Sequence, residues 1–259
     1  MLTEAQRDHI EVVLVSPRNP LNIGAAARAM TNFGFSRLSV VAPYEPHWHE
    51  AKSAVGAEEL LKNARRTESL QEAVTECTLV IGTGTLAHRR PEQPALALPR
   101  LRPRIDQELE RGGGVALVFG PEKHGLTRKN LALCHLLVEI PTDPRQPSIN
   151  LGQAVAVCLY ELAAERGASP GAGGNEKSAA RLMHADPDES ALAPASMRDL
   201  DLLAEVIAET MQAADYSPAA MQRANRHDLD LLLRRLVLTR GDARRILGLF
   251  RRILWRLRR

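Results

Sequence analysis

The fold is decided by residues 9–42, HIEVVLVSPRNPLNIGAAARAMTNFGFSRLSVVA. Within them, His9–Val15 is a short run rich in β-branched residues, which is typical of a buried strand. An alanine-rich helix is predicted over Asn22–Asn32 with Gly34 as its C-cap, and a second strand over Arg37–Ala42. Because a strand, a helix and a strand within about 35 residues form one βαβ unit, the sequence predicts an α/β fold with a parallel sheet.

Apolar strands and helical segments continue to alternate downstream. Further strands are predicted over Thr78–Ile81, Val115–Phe119 and Leu136–Ile140, and helices over Ser69–Glu76 and Asn150–Glu165. Three of these strands end in loops that carry glycine or proline. Since ligands bind outside the carboxyl ends of the strands in an open α/β sheet, we expect these loops to line the functional site.

The composition divides the chain into three predicted parts. Residues 1–165 carry the α/β pattern, residues 166–194 form a flexible linker that includes GASPGAGGNEK, and residues 195–259 form a small α-helical C-terminal extension. The helices of that extension are predicted over Ala195–Ala213, Arg226–Leu238 and Asp242–Arg258.

The formal net charge of +3 conceals an uneven distribution. Residues 223–259 hold twelve arginines against three aspartates, which gives +9 and leaves −6 for the rest of the chain. In the last predicted helix, arginines recur at every seventh position beside an apolar stripe, as in a basic amphipathic helix. This charge separation indicates contact with a polyanion, and a solvated charged face is the alternative interpretation.

The sequence carries no sign of export or membrane insertion. No apolar run approaches the roughly 18 residues that span a bilayer, and the first residues lack the apolar core of a secretory signal. The three cysteines form no CxxC pair and no recognisable disulfide framework, which favours a reducing compartment. We therefore expect a cytoplasmic protein with no membrane partner.

Two segments beside predicted strand ends combine unusual residues. The first, Asn22–Arg28, begins with a predicted N-cap and sets one arginine among small residues, so that the cation has room to reach an anion. The second, Phe119–Thr127, brings two glycines and Glu122 to the end of a buried strand, where backbone groups can contact a flat ligand. Taken alone, plain helix packing explains the first segment and an ordinary Gly/Pro turn explains the second.

A third segment, Pro147–Ala154, places Ser148 and Asn150 where a loop turns into a helix, and capping accounts well for one polar residue there. In this order, the patterns Asn-x-Gly-x-x-x-Arg, Phe-Gly-x-Glu-x-x-Gly-Leu and Ile-Pro…Ser-x-Asn-Leu closely resemble the three motifs of the SpoU branch of the SPOUT RNA methyltransferases. The resemblance covers nearly the whole chain, and the linker is its divergent part.

The resemblance implies a SPOUT fold, in which the C-terminal part of the parallel sheet is threaded into a deep trefoil knot. It also implies a homodimer whose active site lies close to the subunit interface. The implied methyl donor is S-adenosylmethionine, bound in a bent conformation by the knotted loops. The residues that match the family's donor-binding positions are Thr83, Gly84, Thr85, Gly120, Ile140, Ser148 and Ile149.

The resemblance further implies a catalytic set of Arg28, Ser148, Asn150 and Glu122. A ribose 2′-hydroxyl attacks the methyl carbon of the donor, so the hydroxyl must lose its proton. An arginine with a pKa above about 12 is a poor base. We therefore expect Arg28 to bind the adjacent phosphate and stabilise the developing alkoxide, while Ser148 or a water relays the proton. Glu122 and Asn150 are expected to shape the motif loops, and Asn150 is also a candidate for contact with the substrate.

Four other polar residues in or near the motifs are assigned no role. Lys123 and His124 replace a variable pair in the family's second motif. His47 and His49 offer only two ligands, too few for a metal site, and are predicted to be surface residues. The expected chemistry requires no metal.

The implied substrate is tRNA, because the family members that this chain resembles most methylate the pyrimidine at position 32 of the anticodon loop. Two alternatives stay open: a methyltransferase that acts on rRNA, and an RNA-binding protein that keeps the fold without catalysis. An N-terminal RNA-binding extension is usual in the rRNA enzymes, whereas the first strand here begins near His9. The joint presence of all four implied catalytic residues argues against a non-catalytic protein.

Overall fold

The structure, a computed structural model, describes residues 2–84, 91–164, 189–216, 218 and 220–258. Seven strands are found among these residues: β1 (Ile10–Val15), β2 (Arg37–Val41), β3 (Arg65–Thr67), β4 (Leu79–Thr83), β5 (Ala95–Ala97), β6 (Val115–Phe119) and β7 (Leu136–Glu139). They form one sheet in the order β3-β2-β1-β6-β4-β7-β5. Each pair of neighbours runs parallel, so the predicted parallel α/β sheet is confirmed.

The helices of the described residues cover both faces of the sheet. They are α1 (Glu4–Arg7), α2 (Pro20–Phe33), α3 (Glu58–Asn63), α4 (Leu70–Ala73), α5 (Arg102–Glu110), α6 (Arg128–Leu131), α7 (Leu151–Ala163), α8 (Glu189–Leu192), α9 (Met197–Ala213), α10 (Gln222–Arg235) and α11 (Arg240–Leu257). Helix α8 falls within the segment predicted as a linker. In the described part of the chain, no helix is both long enough and apolar enough to cross a bilayer.

The sequence missed the two edge strands, β3 and β5. Each has three residues, which is too short for an alternating pattern to stand out. The prediction of Asn22 as a helix N-cap was wrong. Helix α2 begins at Pro20, and the side chain of Asn19 accepts a hydrogen bond from the backbone N–H of Leu21. Gly34 is confirmed as the C-cap, with a left-handed φ of 73°.

The two faces of β1 are buried by different parts of the chain. Val12 and Leu14 pack on one face against α2, α5 and α7. Val13 and Val15 point to the opposite face, where they share a core with Met197 of α9 and with residues of α4 and α11. The C-terminal helices therefore complete the burial of the central strands, as both faces of a parallel sheet require.

His135 lies where the C-terminal helices meet the sheet. Its Nδ1 atom accepts a hydrogen bond of 3.0 Å from the backbone N–H of Val80, and its ring lines a cavity of about 400 Å³ together with Arg234 of α10. Burial, together with the charge of Arg234, lowers the pKa of His135 from 6.5 to about 3. The imidazole is therefore neutral at physiological pH and carries its hydrogen on Nε2.

We expect His135 to make the protein less stable in mild acid. The unfolded chain binds a proton at this residue near pH 6.5, but the folded protein does so only near pH 3. The free energy of unfolding should therefore fall as the pH drops from about 6.5 towards 3, by about 2 kcal/mol between pH 7 and pH 5. His135→Asn keeps an oxygen acceptor for the backbone N–H of Val80 but has no titratable group. Urea unfolding of this variant should therefore show no such fall in the free energy of unfolding between pH 7 and pH 5.

The matched control is His47→Asn, because the His47 side chain is 80% exposed. It should leave the pH dependence of unfolding as it is in the wild type. A His135→Asn variant with an unaltered pH dependence would show that this histidine does not couple folding to protonation.

Candidate active site

The loops that follow β1, β6 and β7 meet at the carboxyl edge of the sheet, where a carboxylate joins two of them. Glu122, in the loop after β6, accepts hydrogen bonds from the backbone N–H groups of Arg18 (3.1 Å) and Asn19 (3.3 Å). It also accepts one of 2.7 Å from the side-chain Nδ2 of Asn22. Through these contacts, Glu122 joins the loop after β6 to the loop after β1 and to the start of α2.

A second side-chain contact connects the loop before α7 to the two loops that Glu122 joins. The Nδ2 atom of Asn150 donates to the Oδ1 atom of Asn22 at 2.8 Å. The Oδ1 atom of Asn150 caps α7 by accepting from the backbone N–H groups of Gly152 and Gln153. Because an ionised carboxylate only accepts, Glu122 fixes the orientation of the Asn22 amide, which in turn fixes that of Asn150. We call the three residues Glu122, Asn22 and Asn150 the motif triad.

The hydrogen bonds keep Glu122 ionised. Burial alone raises the pKa of this carboxyl group, but the hydrogen bonds from Asn22 and from the backbone outweigh that effect and lower the pKa below its usual value of 4.5. The motif triad therefore holds a negative charge at neutral pH, and that charge strengthens each of the hydrogen bonds that it accepts.

A cavity of about 340 Å³ opens beside the motif triad. Its walls include six of the seven residues predicted to bind the cofactor: Thr83, Gly84, Gly120, Ile140, Ser148 and Ile149. The seventh, Thr85, lies outside the described residues. Leu151 and Ala154, on the first turn of α7, also line the cavity and were not predicted, because apolar residues at helical spacing look like ordinary core positions. Lys123 and His124, which were assigned no role, line it as well.

The two predicted cofactor-binding glycines face different surroundings. A Cβ atom at Gly120 would overlap the backbone of Gly125 and Leu126, so the loop after β6 needs glycine there in order to fold back on itself. A Cβ atom at Gly84 would meet no described atom within 4 Å, so this backbone is open to a ligand. Thr83 is less available, because its hydroxyl donates to the carbonyl oxygen of Val118 at 3.0 Å.

Arg28 does not line this cavity. It lies on the solvent-exposed side of α2, and within the described part of the chain no carboxylate pairs with it. The sequence suggested that the alanines around Arg28 serve to give its side chain room to reach an anion. They face the sheet and α7 instead, where Gly152 approaches Ala25 so closely that a Cβ atom would lie 2.7 Å from the alanine Cβ. The structure thus brings together Glu122, Ser148 and Asn150 but leaves Arg28 apart from them.

His47 and His49 gain a third neighbour that the sequence did not single out. Among the described residues, they form a group with Glu50 in which the potential ligand atoms lie within 4.8 Å of one another. All three side chains are exposed on a short 3₁₀ turn, and none lines the cavity beside the motif triad. This group takes no part in the site described above.

Residues 9–160 match the model of the SpoU rRNA methylase family. This match covers more than half of the chain, so the chain belongs to the SpoU methylase family. All three members of the motif triad and the whole described cavity lie within the matched region.

Several proteins named TrmJ are similar to this chain. A curated relative from Pseudomonas aeruginosa, named tRNA (cytidine/uridine/adenosine-2′-O-)-methyltransferase TrmJ, is 44% identical over 156 residues, which are 60% of this chain and 60% of the relative. One from Methanocaldococcus jannaschii, named tRNA (cytidine-2′-O-)-methyltransferase TrmJ, is 38% identical over 59% of this chain and 66% of its own. The aligned region thus spans about three fifths of the length of these relatives.

A solved structure extends the similarity to the C-terminal helices. The crystal structure of TrmJ from Zymomonas mobilis ZM4 superimposes with a TM-score of 0.76 at 27% sequence identity, over 94% of this chain and 98% of that one. A probable methylase family protein from Haemophilus influenzae has a TM-score of 0.54 at 25% identity, over 97% of this chain and 98% of that one.

We expect Glu122→Gln to loosen the motif loops. A glutamine must turn its NH₂ group towards at least one of the three N–H donors, so the variant should lose about 1–3 kcal/mol in the free energy of unfolding at pH 7. Because the pKa of Glu122 is lowered in the folded protein, the carboxylate stabilises the fold above about pH 4.5 and loses this effect as the pH falls further. The difference in the free energy of unfolding between variant and wild type should therefore become smaller as the pH falls below about 4.5.

Urea unfolding at pH 7 and pH 4 measures both expectations. Glu45→Gln is the matched control, since Glu45 is exposed and lies outside the cavity. Equal unfolding free energies for Glu122→Gln and the wild type at pH 7 would refute the role of the motif triad in stability.

Proposed function

We propose that this protein transfers the methyl group of S-adenosylmethionine to a ribose 2′-hydroxyl of tRNA. The observation that carries the proposal is the motif triad, in which one chain of hydrogen bonds holds all three family motifs around a single cavity. The curated relatives named as tRNA 2′-O-methyltransferases support both the reaction and the substrate. The volume of the cavity lies within the range usual for small-molecule sites.

The cavity residues fit the proposed methyl donor. Apolar walls from Ile140, Ile149 and Leu151 suit a flat base, and the open backbone at Gly84 allows close approach of a ligand. Thr83, Thr85, Gly120 and Ser148 complete the proposed donor-binding set. When bound, the donor supplies an electrophilic methyl carbon on its sulfonium sulfur.

The catalytic residues then act on the RNA. Arg28 binds the phosphate beside the target ribose and stabilises the alkoxide that develops on its 2′-oxygen. Ser148 lies on the cavity wall and is exposed, so its hydroxyl can relay the proton from the 2′-hydroxyl to water. Asn150 orients the start of α7, and Glu122 holds the loops that position both residues.

In a homodimer, Arg28 of one subunit would lie beside the cavity of the other subunit. Arg28 shares its face of α2 and α7 with exposed apolar side chains: Leu21 is 54% exposed, Val157 40% and Tyr160 60%. A second copy packed on this face would cover these side chains and set Arg28 beside the partner subunit's cavity. A contiguous apolar surface on a soluble protein is the kind of surface that such contacts bury.

The remaining parts of the proposal concern the knot, the C-terminal helices and the location. The deep trefoil knot is proposed from membership of the family, and the passage of the chain from β6 past β4 to β7 is compatible with it. The helical extension of residues 195–259 carries the twelve arginines of residues 223–259 and forms an accessory RNA-binding domain. All three cysteines are free and buried, in keeping with the cytoplasm.

The target nucleotide is the pyrimidine at position 32 of the anticodon loop. Ribosomal RNA is the second candidate substrate, favoured by the description of the matching family as rRNA methylases. The two are separated by incubating the protein and S-adenosylmethionine with unmodified tRNA or unmodified rRNA, followed by mass spectrometry of the nucleosides.

We expect 2′-O-methylated pyrimidines from tRNA, at a rate that Arg28→Ala lowers by a factor of about 10²–10³, because the variant loses a transition-state contact. Arg100→Ala, which changes an exposed arginine away from the motifs, should leave the rate unaltered. Methylation of rRNA alone would replace the proposed substrate. Donor binding without methylation of either RNA would reject the proposed activity.

We also expect the double variant Val157→Asp, Tyr160→Arg to be a monomer with little methyltransferase activity, because two charges would face the apolar surface of the second subunit. Light scattering after size-exclusion chromatography measures the mass, and Tyr216→Arg is a control on a Tyr that is 69% exposed elsewhere. A double variant that stays dimeric would exclude the α2–α7 face as the interface.

A further inference from the structure

An exposed arginine–tyrosine pair stands at the carboxyl edge of the sheet. The guanidinium carbon of Arg18 lies over the ring of Tyr44, 5.6 Å from its centroid, within the range of a cation–π contact. Tyr44 is nevertheless 70% exposed. One face of the ring thus contacts a cation, and most of the side chain is exposed to solvent. The ring therefore offers a flat apolar surface to a ligand.

The backbone holds this pair in place from two strands. Ser16 and Ala42, which follow β1 and β2, both have left-handed backbones, with φ of 45° and 41°. Such a conformation is uncommon outside glycine and costs free energy, so it persists only where neighbouring structure holds it. Here Ser16 donates to the carbonyl of Val41 at 2.8 Å, and the N–H of Tyr44 donates to the carbonyl of Pro17 at 3.2 Å.

The pair is also tied to the candidate active site. The backbone N–H of Arg18 donates to Glu122, so the backbone of the residue that contacts the Tyr44 ring is held by the motif triad. On its other side, Ser16 and Ala42 line a cleft of about 960 Å³ between the sheet and α10. Arg18 is thus bonded to Glu122 of the smaller cavity, and both Arg18 and Tyr44 lie two residues from a residue that lines the larger cleft.

The large cleft carries cations suited to an RNA backbone. Arg128, Lys129, Arg223 and Arg226 line it, along with three acidic residues. Arg128 pairs with Glu92 and Arg226 with Asp230, whereas Lys129 and Arg223 have no ion pair within the described part of the chain. These two cations are available to phosphates that enter the cleft.

We propose that Tyr44 is a stacking platform for an unpaired RNA base, with Arg18 contacting the neighbouring phosphate, on a strand that runs from the large cleft to the cavity. The inference rests on the proposed function and identifies the residue that positions the RNA next to the reacting ribose. Unpaired bases are recognised by stacking on exposed aromatic rings, and backbone phosphates by arginine. Tyr44 and Arg18 supply both contacts side by side.

The test measures RNA binding directly, without methyl transfer. Unmodified tRNA with a fluorescent label is titrated with the full-length protein, and anisotropy gives the Kd. Tyr44→Leu should raise the Kd about ten-fold, the size of effect expected when one base loses an aromatic partner. Tyr44→Phe keeps the ring and should bind within two-fold of the wild type by the same argument.

The control is Val55→Ala, because Val55 is 61% exposed and lines neither the cleft nor the cavity. It should leave the Kd unaltered. A second probe, a ribose–phosphate oligomer without bases, distinguishes stacking from a loss of local structure. Tyr44→Leu should bind this oligomer as tightly as the wild type does.

Two results would overturn the proposal. One is a Tyr44→Leu variant that binds tRNA as well as Val55→Ala does, and the other is an equal loss of affinity for the base-free oligomer. Binding is separate from catalysis in this design. If Tyr44→Leu weakens tRNA binding but the wild-type protein methylates no RNA, the proposed function is rejected and the stacking platform stands. If Tyr44→Leu binds and methylates tRNA as the wild type does, the platform is rejected and the proposed function stands.

Discussion

The carboxylate of Glu122 organises the whole carboxyl edge of the sheet. It accepts hydrogen bonds from two backbone N–H groups of the loop after β1 and from Asn22, and through Asn22 it sets the amide of Asn150. The positions of three loops that are far apart in sequence thus depend on the charge of one carboxylate. The pKa of Glu122 is lowered by these same contacts, so the charge persists wherever the protein is folded at neutral pH.

Close helix packing is the second condition for this arrangement. A Cβ atom at Gly152 would lie 2.7 Å from that of Ala25, so Gly152 leaves no room for a side chain. Phe33 meets Tyr160 edge to face at the far end of the same helix pair. This contact fixes the start of α7 beside the start of α2. Asn150 and Asn22 are therefore within hydrogen-bonding distance because the helices behind them carry small residues.

The burial of the sheet links the site to the C-terminal helices. The side of β1 that points away from α2 is covered in part by α9 and α11, and the N–H of Met197 donates to the carbonyl of Cys77 at 2.9 Å. Helix α10, which follows α9 along the chain, forms one wall of the large cleft. A change in the docking of the C-terminal helices would thus alter both the core and the surface proposed to hold RNA.

The sequence by itself determined the parallel α/β sheet, because β-branched strands and an alanine-rich helix between glycine and proline signals allow few alternatives. The motifs also singled out Gly120, Ile140, Ser148 and Ile149, which lie on the wall of one cavity. Only the tertiary structure decided that Asn22 bridges Glu122 and Asn150 and that Arg28 stands apart from the cavity. Local spacing specifies which elements form, whereas side-chain partners across about 100 residues depend on how the helices pack.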